Sequence, residues 1–184
     1  MTQPGFETPR LALIPAGHDD VDALWAVWRD PEVRRYLFDD VPVTRERTAE
    51  ILEGALAQVR DGLGVWTVRV RRATPVVGAV ALLRVADAIA AYDARLAGGV
   101  EPVASLLPAV WGLGYATEAL EPLLHHGFTE CGLKQVVAVV DVPNEASHRL
   151  VRRLGFTLTG ESDGPVYRMR TYALTPDRFP VQRS

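Results

Sequence analysis

Apolar and polar residues alternate along Arg10-Leu11-Ala12-Leu13-Ile14, which predicts a strand, and Pro15, Gly17 and the pair Asp19-Asp20 then break it and offer a helix start. Val21, Leu24, Trp25 and Trp28 recur at helical spacing, and Asp30-Pro31 ends that helix because a residue before proline is pushed out of helical angles. Tyr36 to Phe38, Asp39-Asp40 and Pro42 read as a mixed aromatic and acidic connector, after which Thr44 caps a second helix. That helix is predicted over roughly 45–60, with Ile51, Leu52, Ala55, Leu56 and Val59 on one side and Asp61-Gly62 as its stop. Val65 to Val70 and Val76 to Leu83 form a hairpin across a short loop, expected at the sheet centre. The stretch 86–99 is alanine-rich and fits either a short helix or an enlarged hairpin loop.

The second half is more regular. Val100 to Leu107 predicts a strand in which Pro102 removes one donor, implying a bulge or an unpaired position. Two glycines one residue apart, Gly112 and Gly114, then open a helix that runs to about Glu130, with Leu120, Leu123, Leu124 and Phe128 on its apolar face and Pro122 bending it. Gln135 to Val140 is nearly unbroken and β-branched, as expected of a buried strand rather than an edge. Glu145 to Leu154 predicts a short helix capped by Gly155, then a strand from Phe156 and another over Tyr167 to Leu174, with Thr175 to Ser184 as a frayed tail. The pattern is one α/β sheet with helices on its faces, and no repeat or linker divides 1–184.

Composition narrows the classes. At 184 residues and 48% hydrophobic, the chain can bury one sizeable core. A net charge of −3 gives no electrostatic case for nucleic acid, and no apolar run approaches the roughly 20 residues that span a bilayer. Without a leader-like N-terminus and with Cys131 as the sole cysteine, the cytoplasm is the expected compartment. Cys131 reads as a small packing residue. His125 and His126 point about 100° apart on a helix and cannot easily share a metal, so no metal is expected.

Candidate chemistry sits at the glycine turn. The helix beginning at Tyr115 has first-turn amides without internal partners, and its dipole adds partial positive charge there, so a phosphate is a natural occupant. Alone, such a turn is as often purely structural. Its flanks add a resemblance: Trp111-Gly112-Leu113-Gly114-Tyr115-Ala116-Thr117-Glu118-Ala119 resembles the acetyl-CoA pyrophosphate loop of the GNAT superfamily of N-acetyltransferases, in the branch of the ribosomal-protein N-terminal acetyltransferases. Asn144-Glu145-Ala146-Ser147 with Leu154-Gly155-Phe156 is similar to a second signature of that branch, and Arg10-Leu11 and Asp30-Pro31-Glu32-Val33 extend the likeness over nearly the whole chain.

The resemblance implies a single-domain, mostly antiparallel mixed sheet with helices on both faces and a splay between its fourth and fifth strands. It implies acetyl-CoA as co-substrate, held by Leu106, Leu107, Gly112, Leu113, Gly114, Tyr115, Ala116, Thr117, Asn144 and Ser147. The acceptor would be a primary amine of a small molecule or of a protein N-terminus, and a homodimer is left open. Glu101 is the candidate base, on the fourth strand where relatives carry a glutamate, and equally fits a solvent-facing strand charge. Ser147 is the candidate donor to the departing thiolate, because Val151 stands where relatives use a tyrosine. Ala109 and Leu113 replace polar or basic loop residues. Those losses support an alternative, a catalytically degenerate acyl-CoA-binding or protein-interaction module. A nucleotide-binding Rossmann domain fits poorly, since the glycine turn lies late and no acidic ribose partner follows.

Overall fold

The computed structural model describes residues 3–179. A short strand β1 (Phe6–Glu7), absent from the sequence reading, pairs with β2 (Leu11–Pro15), and β3 (Gly64–Val70), β4 (Val76–Arg84) and β5 (Val100–Leu106) complete a five-stranded antiparallel sheet in chain order. Three helices, α1 (Val21–Trp28), α2 (Pro31–Leu37) and α3 (Arg45–Leu56), cover one face. After the short α4 (Asp87–Ala90), the long α5 (Tyr115–Thr129) covers the other. The chain ends in β6 (Val136–Asp141), α6 (Glu145–Arg153), β7 (Thr157–Ser162) and β8 (Met169–Leu174), whose strands form a second antiparallel sheet in the order β6-β8-β7.

Strand alternation sorts the core. Trp66, Val68, Val80, Leu82, Val100 and Leu106 face α5, whereas Val65, Ala79, Ala81, Val103 and Leu107 face α1 to α3. The sheet read from sequence as one is therefore two, divided between β5 and β6. These strands lie side by side without a hydrogen-bonded ladder. That position corrects the reading of β6. It is an edge in hydrogen-bonding terms, and its β-branched run is buried because β5 packs along its unpaired side.

Other differences have local causes. Asp30 both ends α1 and starts α2: its Oδ1 accepts from the amides of Glu32 at 2.9 Å and Val33 at 3.4 Å, while Pro31 occupies the first turn, where a missing N–H costs nothing. α2 thus fills the stretch before the predicted connector, of which only Tyr36 and Leu37 are helical, and 38–44 remain a loop. α3 stops at Leu56 rather than Arg60, and a 3-10 turn over Val59–Asp61 leads to Gly62 in the left-handed region. No bulge forms at Pro102, which pairs with Leu82 in an unshifted register. Leu107 N–H donates to Val77, and Gly99 O accepts from Val85, so the odd residues of β5 bond to β4. Pro102 consequently turns its donorless nitrogen toward the gap. The expected frayed tail is ordered as far as described, with Phe179 buried against Phe128, while 180–184 lie outside the described residues.

The stretch 86–99 holds α4 and a 3-10 turn at Ala94–Leu96, anchored by a buried acid. Asp93 accepts from Arg95 Nε and Nη2, each at 2.8 Å, and from the Thr171 hydroxyl at 2.8 Å, while Arg95 Nη1 donates to the Thr159 carbonyl. This ties the insertion to β7 and β8. The Arg95 hydrogen bonds outweigh burial and, with Thr171, hold the Asp93 carboxyl at about 2. Its folded value lies below the unfolded one, so this contribution is present above about pH 4 and fades as pH falls toward 2. Asp93→Ala is expected to cost about 2 kcal/mol in urea denaturation at pH 7, with the deficit shrinking at low pH. An unchanged midpoint would make the network ornamental.

Among the described residues no helix is long and apolar enough to cross a membrane.

Candidate active site

The glycine turn follows β5 through a 3-10 turn at Pro108–Val110. Gly112 has φ +76° and Gly114 φ +80°, the left-handed region that side chains rarely adopt, and Gly114 is the N-cap of α5 with no side-chain cap. The first-turn amides are left to whatever occupies the turn. An acid in this turn, Glu118, would oppose an anion, but it is turned away and neutralised. Its Oε1 accepts from the Thr8 hydroxyl at 2.6 Å and the Arg10 amide at 2.8 Å, and its Oε2 meets the Arg10 guanidinium at 2.6 Å. Burial pushes this carboxyl up, yet Thr8 and Arg10 more than offset it, and Glu118 stays below its ordinary range. Arg10 also donates to the Leu113 carbonyl and lies over the Tyr115 ring, clamping the turn. The sequence reading used Arg10 only as a signature, and Trp111, whose indole donates to the Leu106 carbonyl at 2.6 Å, as loop context.

The gap between β5 and β6 opens into a cleft of about 750 Å³ that reaches both faces of the sheet. On the α5 side it is bounded by Leu106, Gly112, Gly114, Tyr115 and Ala116, and by Asn144 and Ser147 of the α6 start. Leu107, Leu113 and Thr117 do not line it. The Leu107 amide is committed to Val77, and alternation leaves the Ala104 and Leu106 amides facing the gap. Asn144 caps α6, its Oδ1 accepting from Ser147 N–H at 3.1 Å, which leaves the Asn144 amino group for a ligand. The Ser147 hydroxyl has no protein partner among the described residues and borders both the cleft and an apolar pocket of about 70 Å³ that includes Ala104, Val140 and Val151. Behind it, buried His148 donates from Nε2 to the Val142 carbonyl and accepts the Tyr172 hydroxyl at Nδ1, fixing α6 against β8.

On the α1–α3 side the cleft is acidic. Glu101, on the same strand face as Val103 and Ser105, has no hydrogen-bond or ion-pair partner for its carboxyl among the described residues, and burial pushes it from 4.5 to about 7. Ser105 is pinned beneath by the Trp28 indole at 3.1 Å. Asp141 ends β6 on the opposite rim, and burial, then the charge of Asp39, raises it to about 6. Asp39 itself sits at φ +52° in the turn after α2, a conformation aspartate tolerates better than most residues. Spacing along the chain gave no hint of Asp141, because Asp39 reaches it only in the fold. Tyr36 closes this side, its hydroxyl donating to the Pro143 carbonyl at 3.4 Å and its ring meeting Tyr167.

A family profile described as "Acetyltransferase (GNAT) domain" matches residues 10–157. The chain belongs to the GNAT acetyltransferase family. The Bacillus subtilis protein named "Uncharacterized N-acetyltransferase YoaA" is 27% identical over 182 residues, covering 95% of this chain and 98% of its own. Among solved structures, a "putative acetyltransferase" from T. thermophilus is 26% identical with TM-score 0.69, covering 95% of this chain and 90% of its own. The RimL ribosomal L7/L12 alpha-N-protein acetyltransferase, solved in complex with coenzyme A, shares the fold at TM-score 0.75 and 18% identity, over 95% of this chain and 99% of its own. This GNAT chain is an acetyltransferase, and the division between β5 and β6 is the splay of its fold.

Proposed function

We propose that this GNAT chain transfers the acetyl group of acetyl-CoA to a primary amine, of a small molecule or a protein N-terminus, by direct attack in a ternary complex. The observation that carries the reading is a cleft that passes through the sheet, with an amide-rich glycine turn on one side of the gap and an unpaired, burial-raised Glu101 on the other. The coenzyme's binding to RimL supports the first half. The residues present fit it: the turn amides of Gly114, Tyr115 and Ala116 would hold the pyrophosphate, and the thioester would reach the gap.

Glu101 takes the proton of the incoming ammonium or of the attacking nitrogen, and its value near 7 suits that task at neutral pH. A gap-facing amide, of Ala104 or Leu106, stabilises the oxyanion as the C–N bond forms. The C–S bond then breaks, and the Ser147 hydroxyl donates a hydrogen bond to the departing thiolate.

Free-thiol release from acetyl-CoA over an amine panel tests the reaction. Binding without release for any amine would instead favour a degenerate binding module, a reading to which Val151 in the apolar pocket lends some support. Ser147→Ala is expected to slow turnover by about tenfold to a hundredfold while changing acetyl-CoA affinity much less. A wild-type rate under chemistry-limited conditions would leave Ser147 as a helix residue only.

A further inference from the structure

Three arginines line the cleft, and their partners set them apart. Arg35, on α2, is paired with Glu32 at 3.1 Å, whereas Arg149 and Arg153 have no ion-pair or hydrogen-bond partner among the described residues. They stand four residues apart on α6, about 6 Å along its axis, on one helix face with Ala146, and all three line the cleft beside Ser147. The glycine turn itself brings little free positive charge: Leu113 is apolar and Arg10 is neutralised by Glu118. Among the arginines that line the cleft, those left free to meet an anion are therefore the two on α6.

We propose that Arg149 and Arg153 form a phosphate-reading wall for the coenzyme, supplying from α6 the positive charge that the glycine turn lacks. The inference rests on the acetyl-CoA reading above. Arginine suits this role because its planar fork can meet phosphate oxygens with two hydrogen bonds. The phosphate concerned is either the terminal 3′-phosphate or the pyrophosphate, and ligands lacking the former distinguish them.

The test is calorimetric titration of wild type, Arg149→Gln, Arg153→Gln and the double variant with CoA and with dephospho-CoA, with melting temperatures confirming the fold. Loss of about tenfold or more in CoA affinity in the double variant, with dephospho-CoA affinity changed by less than about threefold, places the 3′-phosphate on this wall. Equal losses for both ligands also support the proposal and place the pyrophosphate there. Unchanged affinity of the double variant for both ligands overturns it. If wild type binds neither ligand, the coenzyme reading itself falls, a failure distinct from a variant that binds like wild type.

Discussion

Glu101→Gln is expected to lower kcat/KM by about a hundredfold or more and, at pH 8, to raise the melting temperature. Both effects come from one cause: a cleft-lining carboxyl largely removed from water without a cation, whose charged form would serve the proposed reaction and is costly to the fold. The rate should rise with pH as Glu101 ionises near 7, and glutamine, with no proton to exchange, should erase that limb and leave only the acceptor amine's own titration. For stability, the folded value near 7 lies above the ordinary 4.5, so between these pH values the folded state binds more protons than the unfolded and stability falls as pH rises. Above about pH 7 the ionised carboxylate costs on the order of 3 kcal/mol, a penalty glutamine avoids. The two proteins should therefore melt together near pH 4 and diverge by pH 8. A near-wild-type rate with the pH limb intact would remove Glu101 as the base, and a melting difference independent of pH would show that its carboxyl is not buried in its charged form.

How far the molecule could be read from its sequence depended on range. The strands and long helices were legible because alternation and helical spacing are local, and the glycine turn because positive φ at Gly112 and Gly114 demands the residue type that the letters display. Short elements were not: α2 hides behind a proline that usually signals an end, and β1 has two residues and exists only by pairing with β2. The electrostatics of the site were the least visible. Arg10 meets Glu118 and Asp39 faces Asp141 across about a hundred residues of chain, and neither pair has a spacing rule. Phe179 misled for a related reason, since a single aromatic in a polar tail shows its burial only when Phe128 is placed beside it.

Gly114→Val is expected to weaken acetyl-CoA binding by at least about a hundredfold while leaving a folded protein. A Cβ at this position would meet only Arg10 Nη2, at 3.5 Å, the far end of a flexible side chain. The strain is in the backbone: at φ +80° a branched residue is disfavoured by about 1–2 kcal/mol, enough to lower the melting temperature by several degrees. Relieving that strain would turn the α5 N-cap out of the left-handed region and rotate the amides that follow, and the branched side chain would crowd the proposed phosphate position. Losing two charge-assisted amide bonds, each about 1.5–3 kcal/mol, accounts for the expected loss of affinity. Gly112→Ala is the companion measurement, because φ there is +76° and an added Cβ would meet nothing within 4 Å, so it carries backbone strain without obstructing protein neighbours. If Gly114→Val melts cooperatively and still binds acetyl-CoA within about threefold of wild type, the turn is only a connection between β5 and α5, and the pyrophosphate must be held elsewhere in the cleft.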